Sequence, residues 1–104
     1  MTKLNQNQVS VYKRYLTRWS YSESELFKSF SFRTSTEALE FLSLVLDKAR
    51  ELDSTPEVHL VDKQVSLHLR TIDEDGAGVT GKDFALAMAI EQGYRAFSTT
   101  SLEK

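Results

Sequence analysis

The chain of 104 residues contains no cysteine. That single absence removes disulfides, a thiolate nucleophile and thiolate metal ligands together. Nor is there an N-terminal apolar stretch long enough for a secretory signal or a membrane span, so the expectation is a cytoplasmic-type compartment without a membrane partner. Excess charge of one sign is missing too. Thirteen basic residues against 15 acidic ones leave a net charge of −2, which offers no footprint for a phosphate backbone, and no direct nucleic-acid partner is expected. Lys13, Arg14 and Arg18 cluster near an expected helix and read as its solvated face. No solenoid repeat, low-complexity tract, GxGxxG, P-loop or HExxH spacing occurs, and DGAG at 75–78 reads as a turn rather than a phosphate cradle. What is present is an ordinary globular balance, 40% apolar and 27% charged residues. The length suits one domain over residues 1–104, with 1–3 and 98–104 expected to fray.

Periodicity supplies the order of elements. Leu4, Val9, Tyr12 and Leu16 stand near a helical period and predict a first helix over 4–16. From Arg18 to Phe32 the alternation of Trp19 and Tyr21, the interrupting SESE, and then Leu26, Phe30 and Phe32 on one parity predict two strands joined by a polar turn. Thr34 and Glu37 have capping-box spacing, so a second helix starts near Ser35. Its apolar stripe is Ala38, Phe41, Leu42, Val45, Ala49 and Leu52, opposite Glu37, Glu40, Asp47 and Glu51. Pro56 requires that helix to end by about Asp53. Val58 and Leu60, a turn at Asp62-Lys63, and Val65, Leu67 and Leu69 predict a half-buried hairpin whose Ser66, His68 and Arg70 face away. Thr80 and Asp83 repeat the capping spacing and open a last helix running to about Phe97. The fold class expected is α+β: a four-stranded antiparallel sheet with three helices on one face, in the order α-β-β-α-β-β-α.

This order, with FSF before the second helix, TPE after it, VSLHLRT and then GAGVTGKDFALAMAIEQ, resembles the pterin-4a-carbinolamine dehydratase family over most of the chain. The resemblance implies a homodimer or homotetramer that removes water from 4a-hydroxytetrahydropterin, regenerating the pterin cofactor of aromatic amino acid hydroxylases. Some members also partner a homeodomain transcription factor or act as Rubisco assembly factors. The family site has two adjacent histidines before Pro and usually Glu, and a third histidine after Thr at the end of the hairpin. Here Pro56, Glu57 and Thr71 remain, whereas Ser54, Thr55 and Ile72 stand where the histidines belong, and Arg50 stands where an acidic residue is usual. Asp83 matches a family Asp near the start of the last helix, although a structural capping role explains it as well.

Dehydration must protonate the leaving 4a-hydroxyl and take a proton from a ring nitrogen. Imidazole, with a pKa of about 6.5, suits both steps. Ser and Thr without an activating base do not, and Ile cannot. The expectation is therefore a catalytically inactive relative serving as a binding or assembly module, with no cofactor, no catalytic residues and a vestigial pocket at Ser54, Thr55, Pro56, Glu57, Thr71, Ile72 and Asp83. The alternatives are a weakly active dehydratase and a non-catalytic pterin-binding protein. A protein partner and a weak pterin ligand are the contacts to expect. If Asp62-Lys63 is the turn, His59 and His68 come near each other across the hairpin, and they read as polar sheet residues rather than a metal site. Self-association is expected from Leu44, set among acidic residues, and from a last helix that carries Leu86, Ile90 and Phe97 on one side with Phe84 and Met88 on another.

Overall fold

Apolar residues at every second position of two central strands decide how the molecule is layered. The computed structural model describes residues 3–22, 24–74 and 76–102. Glu23 of the SESE turn, Asp75 of the Gly-rich turn, the Phe97 side chain and the outermost residues of both tails lie outside the description. The elements are α1 (Gln6–Lys13), β1 (Ser20–Ser22), β2 (Glu25–Ser31), α2 (Ser35–Glu51), β3 (Glu57–Val61), β4 (Gln64–Leu69), β5 (Thr71–Asp73), β6 (Gly76–Gly78) and α3 (Gly81–Leu102). β1–β4 form one antiparallel sheet in the order β1-β2-β4-β3, and β5-β6 form a separate two-stranded ribbon.

Register assigns the two faces of the sheet. Leu26 pairs with Leu69 and Phe30 with Val65, and these side chains, with Leu67, are buried under the helices. Phe41, Val45, Ala38 and Ala49 of α2 and Phe84, Leu86, Ala87 and Ile90 of α3 complete the core. Lys28 shares the inward parity. Its ammonium is held by Glu91 of α3, whose carboxylate also accepts the Trp19 indole N–H at 2.8 Å, so the charge enters the helix side of the sheet already paired. The other face, free of helices, carries Phe27, Ser29, Ser66, His68, Glu57 and His59 in cross-strand rows.

The caps explain the helix limits. Thr34 Oγ1 accepts the Glu37 N–H at 3.1 Å, as its spacing predicts. α2 ends in a Schellman closure: Ser54 N–H reaches Ala49 O at 2.8 Å and Asp53 N–H reaches Arg50 O at 3.1 Å, with Asp53 in the left-handed region at φ 52°. The expected first helix is shorter than its apolar spacing suggests. It starts after Asn5, which forms a capping box with Gln8, and stops at Lys13. Tyr15, Leu16 and Trp19 then donate to carbonyls three residues back, and Lys13 bonds the Leu16 and Trp19 carbonyls, so this lysine is not simply solvated. Leu16 reaches the core from this turn rather than from a helix.

Further expectations change. The Gly-rich turn is part of the β5-β6 ribbon, closed around Gly76 at φ 106°. α3 runs to Leu102, beyond the expected end, and Lys3 of the N-terminal tail pairs with Thr80 and covers Gly78. Leu44 is half-buried and lies over Gly93, where a Cβ would come within 2.7 Å of it. Phe84, thought to be surplus apolar surface, is buried and stacks on Tyr12 of α1 at 4.9 Å. Phe84 is thus used inside the chain, while Met88 on the same side is 38% exposed. Among the described residues no helix is long and apolar enough to cross a membrane.

Candidate functional site

The expected site residues fall into three places. Thr55, Pro56, Glu57 and Ile72 line one open cleft of about 380 Å³, together with His68 and Arg70. Pro56 and Glu57 lead from the α2 closure into β3, while Ile72 projects from β5 and is 67% exposed. Ser54 does not join them. The Schellman closure has spent its N–H on α2, and it lines a neighbouring hollow with Leu46, Ala49, Arg50 and Asp53. Thr55 and Pro56 border both. Lys82 of α3 donates to the Asp53 carbonyl at 2.9 Å and ties this loop to the last helix.

Thr71 and Asp83 are elsewhere again. Asp83, 2% exposed, accepts at Oδ2 from the Thr80 N–H at 2.8 Å, the Thr71 hydroxyl at 2.9 Å and the Thr80 hydroxyl at 3.2 Å. As the acid of a helix-start capping box does, Asp83 caps the Thr80 N–H, while the Thr80 carbonyl receives the first helical N–H groups from Asp83 and Phe84. These bonds join the ribbon to the start of α3, and Asp83 does not line the cleft.

The cleft's charged wall comes from the open face of the sheet. His68 Nδ1 lies 3.0 Å from Glu25 Oε2, and the same oxygen accepts from Arg70 Nη1 at 3.0 Å. Arg70 Nη2 donates to Glu57 Oε1 at 3.2 Å, and the other Glu57 oxygen is 2.7 Å from His59 Nε2. The His59 hydrogen bond, followed by the charges of Arg70 and His68, holds the Glu57 carboxyl below the usual carboxylate range. Glu25 and Arg70 had no assigned role in the sequence. Both could have been found there: Glu25 shares parity with Phe27 on β2, and Arg70 shares parity with His68 on β4. The Asp62-Lys63 turn likewise fixes Glu57 opposite His68 and His59 opposite Ser66.

The chain matches the family described as pterin 4 alpha carbinolamine dehydratase over residues 2–93. It belongs to that family. A provisionally named pterin-4-alpha-carbinolamine dehydratase of Sulfolobus acidocaldarius is 34% identical over 90 residues, covering 86% of this chain and 97% of that one. Another provisionally so named, from Metallosphaera sedula, is 30% identical and covers 88% and 94%. Among solved structures, a transcriptional coactivator/pterin dehydratase from Brucella melitensis superposes with a TM-score of 0.80 at 25% identity, over 88% of this chain and 97% of that one. The α+β dehydratase fold is therefore shared nearly end to end. Within it, this pterin dehydratase relative presents a hydroxyl at Thr55 and an alkyl group at Ile72 to its cleft, and its one cleft imidazole comes from His68 on β4.

Proposed function

We propose that this chain is a pterin dehydratase-family protein that has lost dehydration and works as a non-catalytic binding or assembly module. The observation that carries the reading is the lining of the cleft by Thr55, Pro56 and Ile72, with no imidazole at the three positions where the family motif has one. Proton transfer by a positioned acid or base is worth roughly a hundredfold to ten-thousandfold, and none of these side chains can supply it. The cleft still suits a flat heterocycle: Ile72 offers an apolar face, Thr55 a hydroxyl, and Arg70 and Glu57 opposite charges. Weak pterin binding without turnover fits this lining. A Rubisco-type assembly role belongs to the same reading, as a use of the outer surface rather than the cleft.

The module is a homodimer or homotetramer. Support comes from Leu39 and Leu46, seven residues apart on α2 and each about half exposed, rather than from Leu44 or Phe84. Light scattering at micromolar concentration checks the state, and a strictly monomeric mass contradicts it.

A second reading, weak surviving dehydration, is favoured by His68, which lines the cleft beside Arg70. Stopped-flow dehydration of 4a-hydroxytetrahydropterin separates the two. The first reading expects the uncatalysed rate with wild-type protein. A measurable rate that disappears in His68→Gln would establish the second.

A further inference from the structure

The hairpin register places three metal-ligating side chains on one spot of the open sheet face. Glu57 and His59 are two residues apart on β3 and point the same way, and His68 is the direct cross-strand partner of Glu57. One donor atom from each lies within 4.8 Å of the other two. The two imidazole rings are 5.5 Å apart and nearly perpendicular, at 80°. From this arrangement we infer that Glu57, His59 and His68 form a binding site for a divalent transition-metal ion of the zinc type.

The neighbours of each donor support that assignment. Glu25 holds His68 at Nδ1, which leaves Nε2 to face an ion. A carboxylate on the far nitrogen of a ligating imidazole fixes its tautomer and orientation and raises its basicity. Arg70 holds Glu57 at Oε1, which leaves Oε2 as the ligand atom. His59 Nε2 and Glu57 Oε2 now share a hydrogen bond. An entering cation replaces it, and the proton passes to His59 Nδ1 or to solvent. Tetrahedral zinc with bonds of about 2.0–2.1 Å needs ligand atoms about 3.3 Å apart, and rotation of the half-exposed His59 and Glu57 can close that gap.

The chemistry of the donors selects the ion. Two imidazoles and one carboxylate suit zinc, cobalt, nickel or copper, whereas magnesium and calcium favour all-oxygen shells. Three protein ligands leave a fourth position open for water or a ligand atom. Glu57 and His68 also line the cleft, so that position borders the space beside Thr55, Pro56 and Ile72. Neither a CxxC nor an HExxH motif marks such a site, because its spacing is that of a strand pair rather than a helix.

Isothermal titration of untagged protein with zinc chloride at pH 7.5, repeated with magnesium chloride, tests the site. The chain has only two histidines, so a nitrogen-15 imidazole spectrum reads both ligands without ambiguity. The expected result is one zinc per chain with a dissociation constant at or below about 10 µM, shifts at both imidazoles, and no magnesium response. His59→Ala, a half-exposed change that leaves the core untouched, should weaken binding at least tenfold. Glu25→Gln should weaken it by about tenfold to a hundredfold through His68. The absence of saturable zinc binding, or undiminished binding in both His59→Ala and His68→Ala, would overturn the site.

Discussion

At the start of α3 the Asp83 carboxylate is sealed from solvent and takes three hydrogen bonds on one oxygen, whereas the ionisable groups on the open sheet face share theirs loosely and remain accessible. The two constellations are separated by little sequence, since Thr71 of the first follows Arg70 of the second. Thr71 and Asp83 are among the residues that match the pattern the sequence resembles, and in this molecule they hold the ribbon to the last helix. Ser54, Thr55 and Ile72 stand where the resemblance places histidines, and the imidazole beside the cleft comes from His68, outside that motif. A motif residue's persistence can therefore report scaffold rather than chemistry, and the two roles separate by burial and by what the side chain touches.

Mutations should respect that division. Asp83→Ala strands the buried Thr80 N–H and leaves the Thr71 and Thr80 hydroxyls only their mutual contact at 3.3 Å, and should cost about 3 kcal/mol in urea unfolding. A cost below about 1 kcal/mol would place Asp83 outside the structural class. Thr71→Val removes only one of the three donors and should cost about 1.5 kcal/mol, because the other two bonds persist. On the open face, His68→Ala should change stability by about 0.5 kcal/mol or less while removing the zinc response; the same unfolding curves and a zinc titration check both halves. The smallest effect is a titration. The Glu57 carboxyl should show an NMR midpoint below the usual glutamate value of about 4.3, moving upward in His59→Ala. Because its folded value is the lower one, its small stabilising contribution is present above the ordinary glutamate range and fades as pH falls through the lowered midpoint.

How legible all this was in the sequence follows from the range of each signal. Period-two and period-3.6 patterns, the Thr34 cap and the stop before Pro56 are local, and they gave the layers, the two long helices and the hairpin register. The early end of α1 depended on Lys13 reaching the Leu16 and Trp19 carbonyls, which no spacing announces. The β5-β6 ribbon was hidden because DGAG looks like a simple turn, and only pairing of Thr71 with Gly78 and Ile72 with Ala77 makes it a strand pair. Similarly, the expected pocket joined Ser54 to Thr55 because they are adjacent, while in the structure Ser54 lines only the neighbouring hollow and Thr55 borders both. Sequence adjacency carried the motif, and backbone direction divided it.

The division of Ser54 from Thr55 also sharpens the most direct test. The claim at the centre of this account is that the cleft is kept without the histidines of the family motif, so restoring imidazole at the motif positions that line the cleft should restore chemistry. Stopped-flow dehydration of 4a-hydroxytetrahydropterin is measured for wild-type protein and for the Thr55→His, Ile72→His double variant. The account predicts no acceleration by the wild type and a gain of about a hundredfold or more in the double variant. Turnover by the wild type equal to that of the double variant, or no gain on restoration, would contradict it.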